Sequence, residues 1–191
     1  MWEKFRLRVL RRNKAFARSE SGTAAVEFAL VALPFFILLG VIIEQGTIMF
    51  MEYTLQAAVQ EAARLVRTGQ AQSAGLTAPQ FKTKVCNLAS ILMDCSSGVN
   101  VYVASGNDFA TLKANLPSFL DVGAKADGTP NPTSYNCGGP LQTTAVVATY
   151  DWTIVMPFMS FDANFANGTK RRLTGFTMFE NEPFPAGTSC N

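Results

Sequence analysis

Few residues in this sequence are of the types that carry out chemistry. The chain of 191 residues has no histidine, which excludes Ser-His-Asp and Cys-His catalytic arrangements, histidine-containing zinc sites and the H-E-x-x-H motif. No phosphate loop of the G-x-x-x-x-G-K-[ST] type and no G-x-G-x-x-G fingerprint is present. Glu180 and Glu182 lie beside Pro183, and nothing marks them as an acid–base pair. We therefore predict that the chain is not an enzyme and uses no cofactor.

An apolar run from Thr23 to Ile43 contains a single acid, Glu27. As a helix, a run of 21 residues spans roughly 30 Å, which is the hydrocarbon thickness of a bilayer. A cleavable secretory signal has a core of only about 7–15 apolar residues, followed by an A-x-A-like site. This run is longer and leads into Glu44-Gln45-Gly46-Thr47. It predicts a single-pass membrane anchor, with the lipid bilayer as a partner.

The charges are distributed unevenly along the chain. Residues 1–22 contain seven basic and two acidic residues, a net charge of +5, whereas the remainder contains nine basic and twelve acidic residues, a net charge of −3. Basic flanks mark the cytoplasmic side of a membrane span. We therefore expect residues 1–22 to form a cytoplasmic leader and the chain after Ile43 to lie outside the cytoplasm. An acidic body also argues against nucleic acid as a partner.

Glu27 can be explained in two ways. An acid in a spanning segment is costly, so its side chain could simply reach water at the cytoplasmic edge. Alternatively, Gly22 followed by Thr-Ala-Ala-Val-Glu-Phe resembles the processing site of type IV-like prepilins, in which a basic leader is cut after the glycine. The resemblance implies a processing site made of Gly22, Thr23, Glu27 and Phe28. Cleavage would create an α-amino cation on Thr23, with which Glu27 of a neighbouring subunit could pair.

Two longer strings narrow the resemblance. "ESGTAAVEFALVALPFF" (20–36) and "FENEPF" (179–184) resemble the TadE-like pseudopilins of the tight-adherence (Flp) pilus. The resemblance implies a pilin-like fold, a place in the bacterial inner membrane and a periplasmic C-terminal domain. It also implies three partners: other pilin-like subunits, a prepilin peptidase and the inner-membrane assembly platform. Two functions remain open, a processed minor pilin used in pilus initiation or assembly, or an uncleaved membrane-anchored scaffold of the same secretion machine.

The helical pattern continues beyond the anchor. Apolar residues recur at steps of three and four, and this stripe consists of Ile48, Met51, Leu55, Val59, Ala62 and Val66. Gly69 follows two arginines and is a plausible helix stop. The spacing thus predicts one helix with a transmembrane part, 23–43, and an extracytoplasmic continuation, 44–69. Pro34 lies inside it and removes one backbone hydrogen bond.

Residues 76–191 are expected to form a periplasmic α+β head. A helix start is indicated by Thr77 with Gln80 three residues on. The other predicted elements are a strand around Val99–Val103, a short helix after Asp108, a loop from Gly123 to Pro140, and two antiparallel strands over Thr143–Trp152 and Arg171–Glu180. The segment "IVMPFMSFDANF" between the last two strands is expected to cover the sheet, or else to be an exposed patch for a partner or the membrane surface.

Four cysteines all follow the apolar run. An even number on the oxidising side suggests two disulfides, for which three pairings exist. We favour Cys86–Cys95, since one residue lies in the predicted helix and the other lies just beyond it. Cys137–Cys190 would then tether the long loop to the C-terminus. No C-x-x-C pair is present, so no metal site is expected.

Overall fold

The computed structural model describes residues 20–89, 93–95, 98–116, 134–156, 159, 169–185 and 190. The chain divides into two compact units between Ile43 and Glu44. One helix, α1, runs from Glu20 to Arg67 and contributes to both.

In the first unit, α1 exposes most of its apolar side chains. Its composition and length are sufficient for a helix to cross a bilayer. Leu, Ala, Val and Phe dominate its sequence, and in hydrocarbon a helix satisfies its own backbone groups. Pro34 lies within the helix, and because proline has no N–H, the carbonyl of Leu30 lacks its usual helical donor.

The second unit contains a three-stranded antiparallel sheet of order β1-β2-β3. In register, Val99 faces Tyr150, Thr143 faces Glu180 and Thr153 faces Lys170. The elements that follow α1 are α2 (Gln70–Ser73), α3 (Ala78–Ala89), β1 (Val99–Gly106), α4 (Phe109–Asn115), β2 (Thr143–Thr153) and β3 (Lys170–Glu180). The predicted architecture is confirmed: a long N-terminal apolar helix followed by a small α+β head.

The core of this unit lies between α1 and the sheet. The predicted apolar stripe of α1, from Ile48 to Val66, is fully buried. Val99 and Val103 of β1 and Val146 of β2 belong to the same cluster. Helix and sheet lie close together at Gly175 of β3, where an added Cβ would lie 3.0 Å from the Leu55 carbonyl oxygen and 3.0 Å from Cγ2 of Val59. A larger residue there would require α1 to shift by a few tenths of an ångström, because two of the three nearest atoms belong to the Leu55 backbone.

Gln56 of α1 covers part of the free edge of β3. Its Oε1 accepts from the Phe176 N–H at 2.9 Å, and its Nε2 donates to the Phe176 carbonyl at 2.9 Å. Unpaired strand edges invite pairing with other chains. The Gln56 side-chain amide therefore forms the two backbone hydrogen bonds that a residue of a further strand would form with Phe176.

The residues predicted to begin or end helices do so in the structure. At the start of α3, the side chain of Gln80 accepts from the Thr77 N–H at 2.9 Å. Asp108 caps α4 by accepting from the Thr111 N–H at 2.7 Å, and this hydrogen bond lowers the pKa of the Asp108 carboxyl. Gly69 follows α1 with a φ of 75°, a left-handed conformation that favours glycine.

Three predicted features lie wholly or partly outside the described residues. They are the basic leader, most of the loop from Gly123 to Pro140, and most of the Met- and Phe-rich segment after β2. Met159, from the last of these, is buried.

Candidate assembly site and its supporting contacts

The residues of the predicted processing site lie together on the first turns of α1. Gly22, Thr23, Glu27 and Phe28 are all exposed. Among the described residues Glu27 forms no ion pair. This part of the helix therefore presents one carboxylate on an otherwise apolar surface. In hydrocarbon such a group attracts a cation, because an isolated charge there is costly.

Glu27 shares its helix face with Val31 and Pro34, since residues four and seven apart lie on one side of an α-helix. Val31 is exposed, and Pro34 leaves one carbonyl of the preceding turn without a donor. The face thus combines a carboxylate, an apolar side chain and an unpaired carbonyl. The carboxylate and the unpaired carbonyl are costly next to lipid alone, because each lacks a hydrogen-bond donor or a cation there.

A second glutamate, Glu44, lies on α1 as the first residue of the second unit and is buried, with 6% of its surface exposed. Its Oε1 accepts from the Trp152 indole N–H at 3.1 Å and from the Val155 N–H at 2.8 Å, and its Oε2 accepts from the Met156 N–H at 2.8 Å. These three hydrogen bonds therefore connect α1 to the end of β2 and to the residues that follow it.

Sequence reasoning missed Glu44, although a signal for it exists. The residue lies four positions before Ile48 and so continues the buried stripe of α1 toward the apolar run. An acid on a buried stripe needs hydrogen-bond donors, and here those donors come from the chain after β2.

The "FENEPF" string forms the contacts at the other end of the sheet. Asn181 is buried, and its Nδ2 donates to the carbonyls of Cys137 and Gly139, each at 2.9 Å. The Glu182 N–H donates to the Arg67 carbonyl, the last of α1, at 2.9 Å. Phe184 packs on Gly69 so closely that an added Cβ would lie 2.6 Å from its ring. The string thus joins β3, the end of α1 and the segment around Cys137.

Two of the four cysteines form a disulfide, and the other two are free thiols. Cys137 and Cys190 form a disulfide with a Cα–Cα distance of 6.0 Å. The predicted Cys86–Cys95 bond is absent from this structure, in which both residues are free thiols. Cys86 Sγ instead lies 3.7 Å from the carbonyl oxygen of Cys95. Burial, followed by hydrogen bonding and charge interaction with Cys95, raises the pKa of the Cys86 thiol to about 12. The pairing of Cys86 with Cys95 stays a prediction.

The described residues contain no group of three or more His, Cys, Asp or Glu side chains that could hold a metal ion. The arrangement offers exposed apolar helix, one carboxylate and a hydrogen-bonded head. The apolar part of α1 fits a membrane anchor.

Comparison with known protein families gives a match for part of α1. Residues 22–64 match the family model described as TadE-like protein. The match begins at Gly22, includes Glu27 and ends within α1. No curated protein and no solved structure matches the chain. The TadE-like resemblance is confirmed over this segment, which connects the chain with the tight-adherence pilus, and the TadE-like family is a structural one.

Proposed function

We propose that the protein is a minor pilin-like subunit of a tight-adherence pilus. In this proposal α1 anchors the chain in the bacterial inner membrane with its N-terminus in the cytoplasm and the head in the periplasm. A prepilin peptidase removes the leader after Gly22, and the mature subunit takes part in pilus initiation or assembly.

The observation that carries the proposal is the position of Glu27. It is an exposed acid on an apolar helix, it is the fifth residue after Gly22, and both residues lie in the TadE-like segment. Cleavage after Gly22 would place a new α-amino cation on Thr23 at the membrane surface. The carboxylate of one subunit and the amine of the next can then neutralise each other, so that neither charge is left alone in a low-dielectric setting.

The hydrogen bonds between the head and α1 support this proposal. They occur near both ends of the extramembrane part, at Glu44 and at Arg67. A subunit that is drawn into an assembly by its anchor helix needs such a connection, because force on the helix must reach the head.

The test has two parts. N-terminal sequencing of the protein from piliated cells should begin at Thr23, and Gly22→Ala should leave the leader attached. Met1 retained on the wild-type chain would overturn processing and favour the uncleaved scaffold.

Glu27→Gln should leave membrane insertion and the Cys137–Cys190 bond intact but should weaken co-purification with other pilin-like subunits about a hundredfold or more. Deleting one partner of a buried charge pair costs several kcal/mol, and about 1.4 kcal/mol is tenfold in association. Glu61→Gln, an exposed change on the same helix beyond the span, is the matched control. Normal co-purification and normal pilus counts with Glu27→Gln would show that Glu27 only reaches water.

A further inference from the structure

The two ends of the Cys137–Cys190 disulfide are held unequally. Cys137 is buried, with 1% of its surface exposed. Its carbonyl oxygen accepts hydrogen bonds from Asn181 Nδ2 at 2.9 Å, from Gln72 Nε2 at 3.1 Å and from Thr144 Oγ1 at 3.2 Å. These donors come from three parts of the head, namely α2, β2 and the residues after β3. They hold the backbone of this cysteine independently of its sulfur.

The neighbours of this cysteine in the chain are held in the same way. The Asn136 N–H donates to the Val103 carbonyl of β1 at 3.0 Å. The Gly139 carbonyl accepts from Asn181 Nδ2 at 2.9 Å. We call residues 134–142 the Cys137 segment. Its connection to the helices and strands of the head consists of hydrogen bonds in which the disulfide takes no part.

Cys190 has much weaker support. It packs against the hydrophobic core but is only partly buried, and it forms no hydrogen bond within the part of the chain that the structure describes. Earlier in the chain, Phe184 is held by close packing on Gly69. Ordering a chain end costs conformational entropy, and the packing of one partly buried side chain offsets little of that cost. Cys190 is therefore held in place mainly by the disulfide.

We propose that the Cys137–Cys190 bond is a redox-sensitive latch on the C-terminus. In the oxidised state the bond holds the end of the chain on the Cys137 segment, and a dithiol reductant releases that end while the head stays folded. The direction of the tether is thus the reverse of the one expected from the sequence, because the Cys137 segment is already fixed and the C-terminus is what the bond adds to it. This behaviour is independent of the proposed pilus function.

The release step is thiol–disulfide exchange. One thiolate of the reductant attacks Sγ of Cys190, which is the more exposed of the two cysteines, and the Sγ–Sγ bond breaks. Cys137 leaves as a thiolate and takes up a proton. The second thiolate of the reductant then displaces Cys190, which is protonated in turn. The reductant ends as a disulfide, and the protein has gained two electrons and two protons.

The first experiment determines which end becomes loose when the bond is broken. The full chain in detergent is compared with Cys190→Ser by hydrogen–deuterium exchange and by carboxypeptidase digestion followed by mass spectrometry. In Cys190→Ser, digestion should proceed to Pro185, and exchange after Pro185 should be at least about tenfold faster than in wild type. Peptides from the Cys137 segment and from β2 should keep their wild-type exchange. Dithiothreitol should have the same effects on the wild-type chain.

Cys95→Ser is the matched control, because it removes a thiol that has no part in the bond. Its C-terminus should resist digestion as in wild type. Increased exchange of the Cys137 segment in Cys190→Ser would show that the bond holds that segment, and the latch would be wrong. It would be equally wrong if the C-terminal residues of Cys190→Ser resisted carboxypeptidase, or if β2 lost its protection.

A second pair of variants tests the hydrogen bonds that hold the Cys137 segment. Asn181→Leu removes two of them and leaves both cysteines in place. It should speed exchange of the segment at least about tenfold, while digestion still stops at the disulfide-linked Cys190. Thr144→Val removes one hydrogen bond with little change of shape and should have a smaller effect in the same direction. Unchanged exchange of the segment in both variants would overturn the inference that hydrogen bonds hold it.

Discussion

Replacement of Glu44 by alanine should destabilise the head far more than loss of any exposed acid on α1. The change removes an acceptor of three hydrogen bonds, and a hydrogen bond to a charged group contributes about 1.5–3 kcal/mol. Even the lower figure for each bond gives about 4.5 kcal/mol. Water can reach some of the donors once the side chain is gone, so we expect a loss of about 3–4 kcal/mol in the free energy of unfolding.

The measurement is thermal unfolding of the full chain in detergent, followed by the emission of Trp152 in the Trp2→Phe background. For a chain of this size, about 1 kcal/mol corresponds to about 2–4 °C in Tm. Glu44→Ala should therefore lower the Tm by roughly 6–16 °C. Glu44→Gln should fall between alanine and wild type, because the amide keeps one acceptor oxygen but places a donor opposite a backbone N–H.

Glu61→Ala provides the matched control on the same helix. Glu61 forms an exposed pair with Arg64 at 3.0 Å, and such pairs contribute about 0–1 kcal/mol. A Tm loss for Glu44→Ala no larger than that for Glu61→Ala would refute the argument that the carboxylate fastens the helix to the sheet.

Two further predictions concern packing and thiol chemistry. Gly175→Ala should lower the free energy of unfolding by about 1–3 kcal/mol, because backbone of α1 blocks the new methyl group. Gly46→Ala, where nothing lies within 4 Å, should raise it by about 0.5–1 kcal/mol, and denaturant titration that finds the two changes alike would contradict this account of the core. Non-reducing peptide mapping of exported protein should link Cys86 to Cys95, and free thiols at both would show that prediction wrong. In reduced protein, iodoacetamide should modify Cys95 before Cys86, since burial raises the Cys86 pKa to about 12 from 9.0. The stability due to this neutral thiol is fully present below pH about 9 and should be lost as the pH rises toward about 12, so equal alkylation rates or flat stability over that range would count against it.

The helices and strands were predictable because their signals are local. The stripe from Ile48 to Val66, the alternating valines of β1, the Thr77–Gln80 start and the Asp108 cap each involve residues a few positions apart. Side-chain period and backbone hydrogen bonding determine such elements within one or two turns. The apolar run with Gly22 and Glu27 is a linear pattern of the same kind, and it led to the TadE-like family.

The contacts that join these elements could not be read in the same way. Glu44 meets Trp152 across 108 positions in the chain, and Gln56 meets Phe176 across 120. In the sequence, "FENEPF" indicated only a family resemblance. In the structure, its Asn181 donates hydrogen bonds to the segment around Cys137. Which acid finds which donors depends on how β2 and β3 pack on α1, and no local period encodes that choice.

The cysteines also separate what the sequence predicts from what the tertiary structure determines. Their number and their position after the apolar run follow from the sequence, which allowed three pairings and favoured Cys86–Cys95 with Cys137–Cys190, and the structure contains the second of these bonds. A disulfide requires two Cα atoms about 4.4–6.8 Å apart with suitably directed side chains, and the fold brings Cys137 and Cys190 to 6.0 Å while it turns Cys86 toward the Cys95 carbonyl. Sequence alone determined the long apolar helix, the acid within it and the order of helices and strands, because these are properties of neighbouring residues. The tertiary structure decided the role of Glu44 and the arrangement of the thiols, because both depend on distances between residues that only packing brings together.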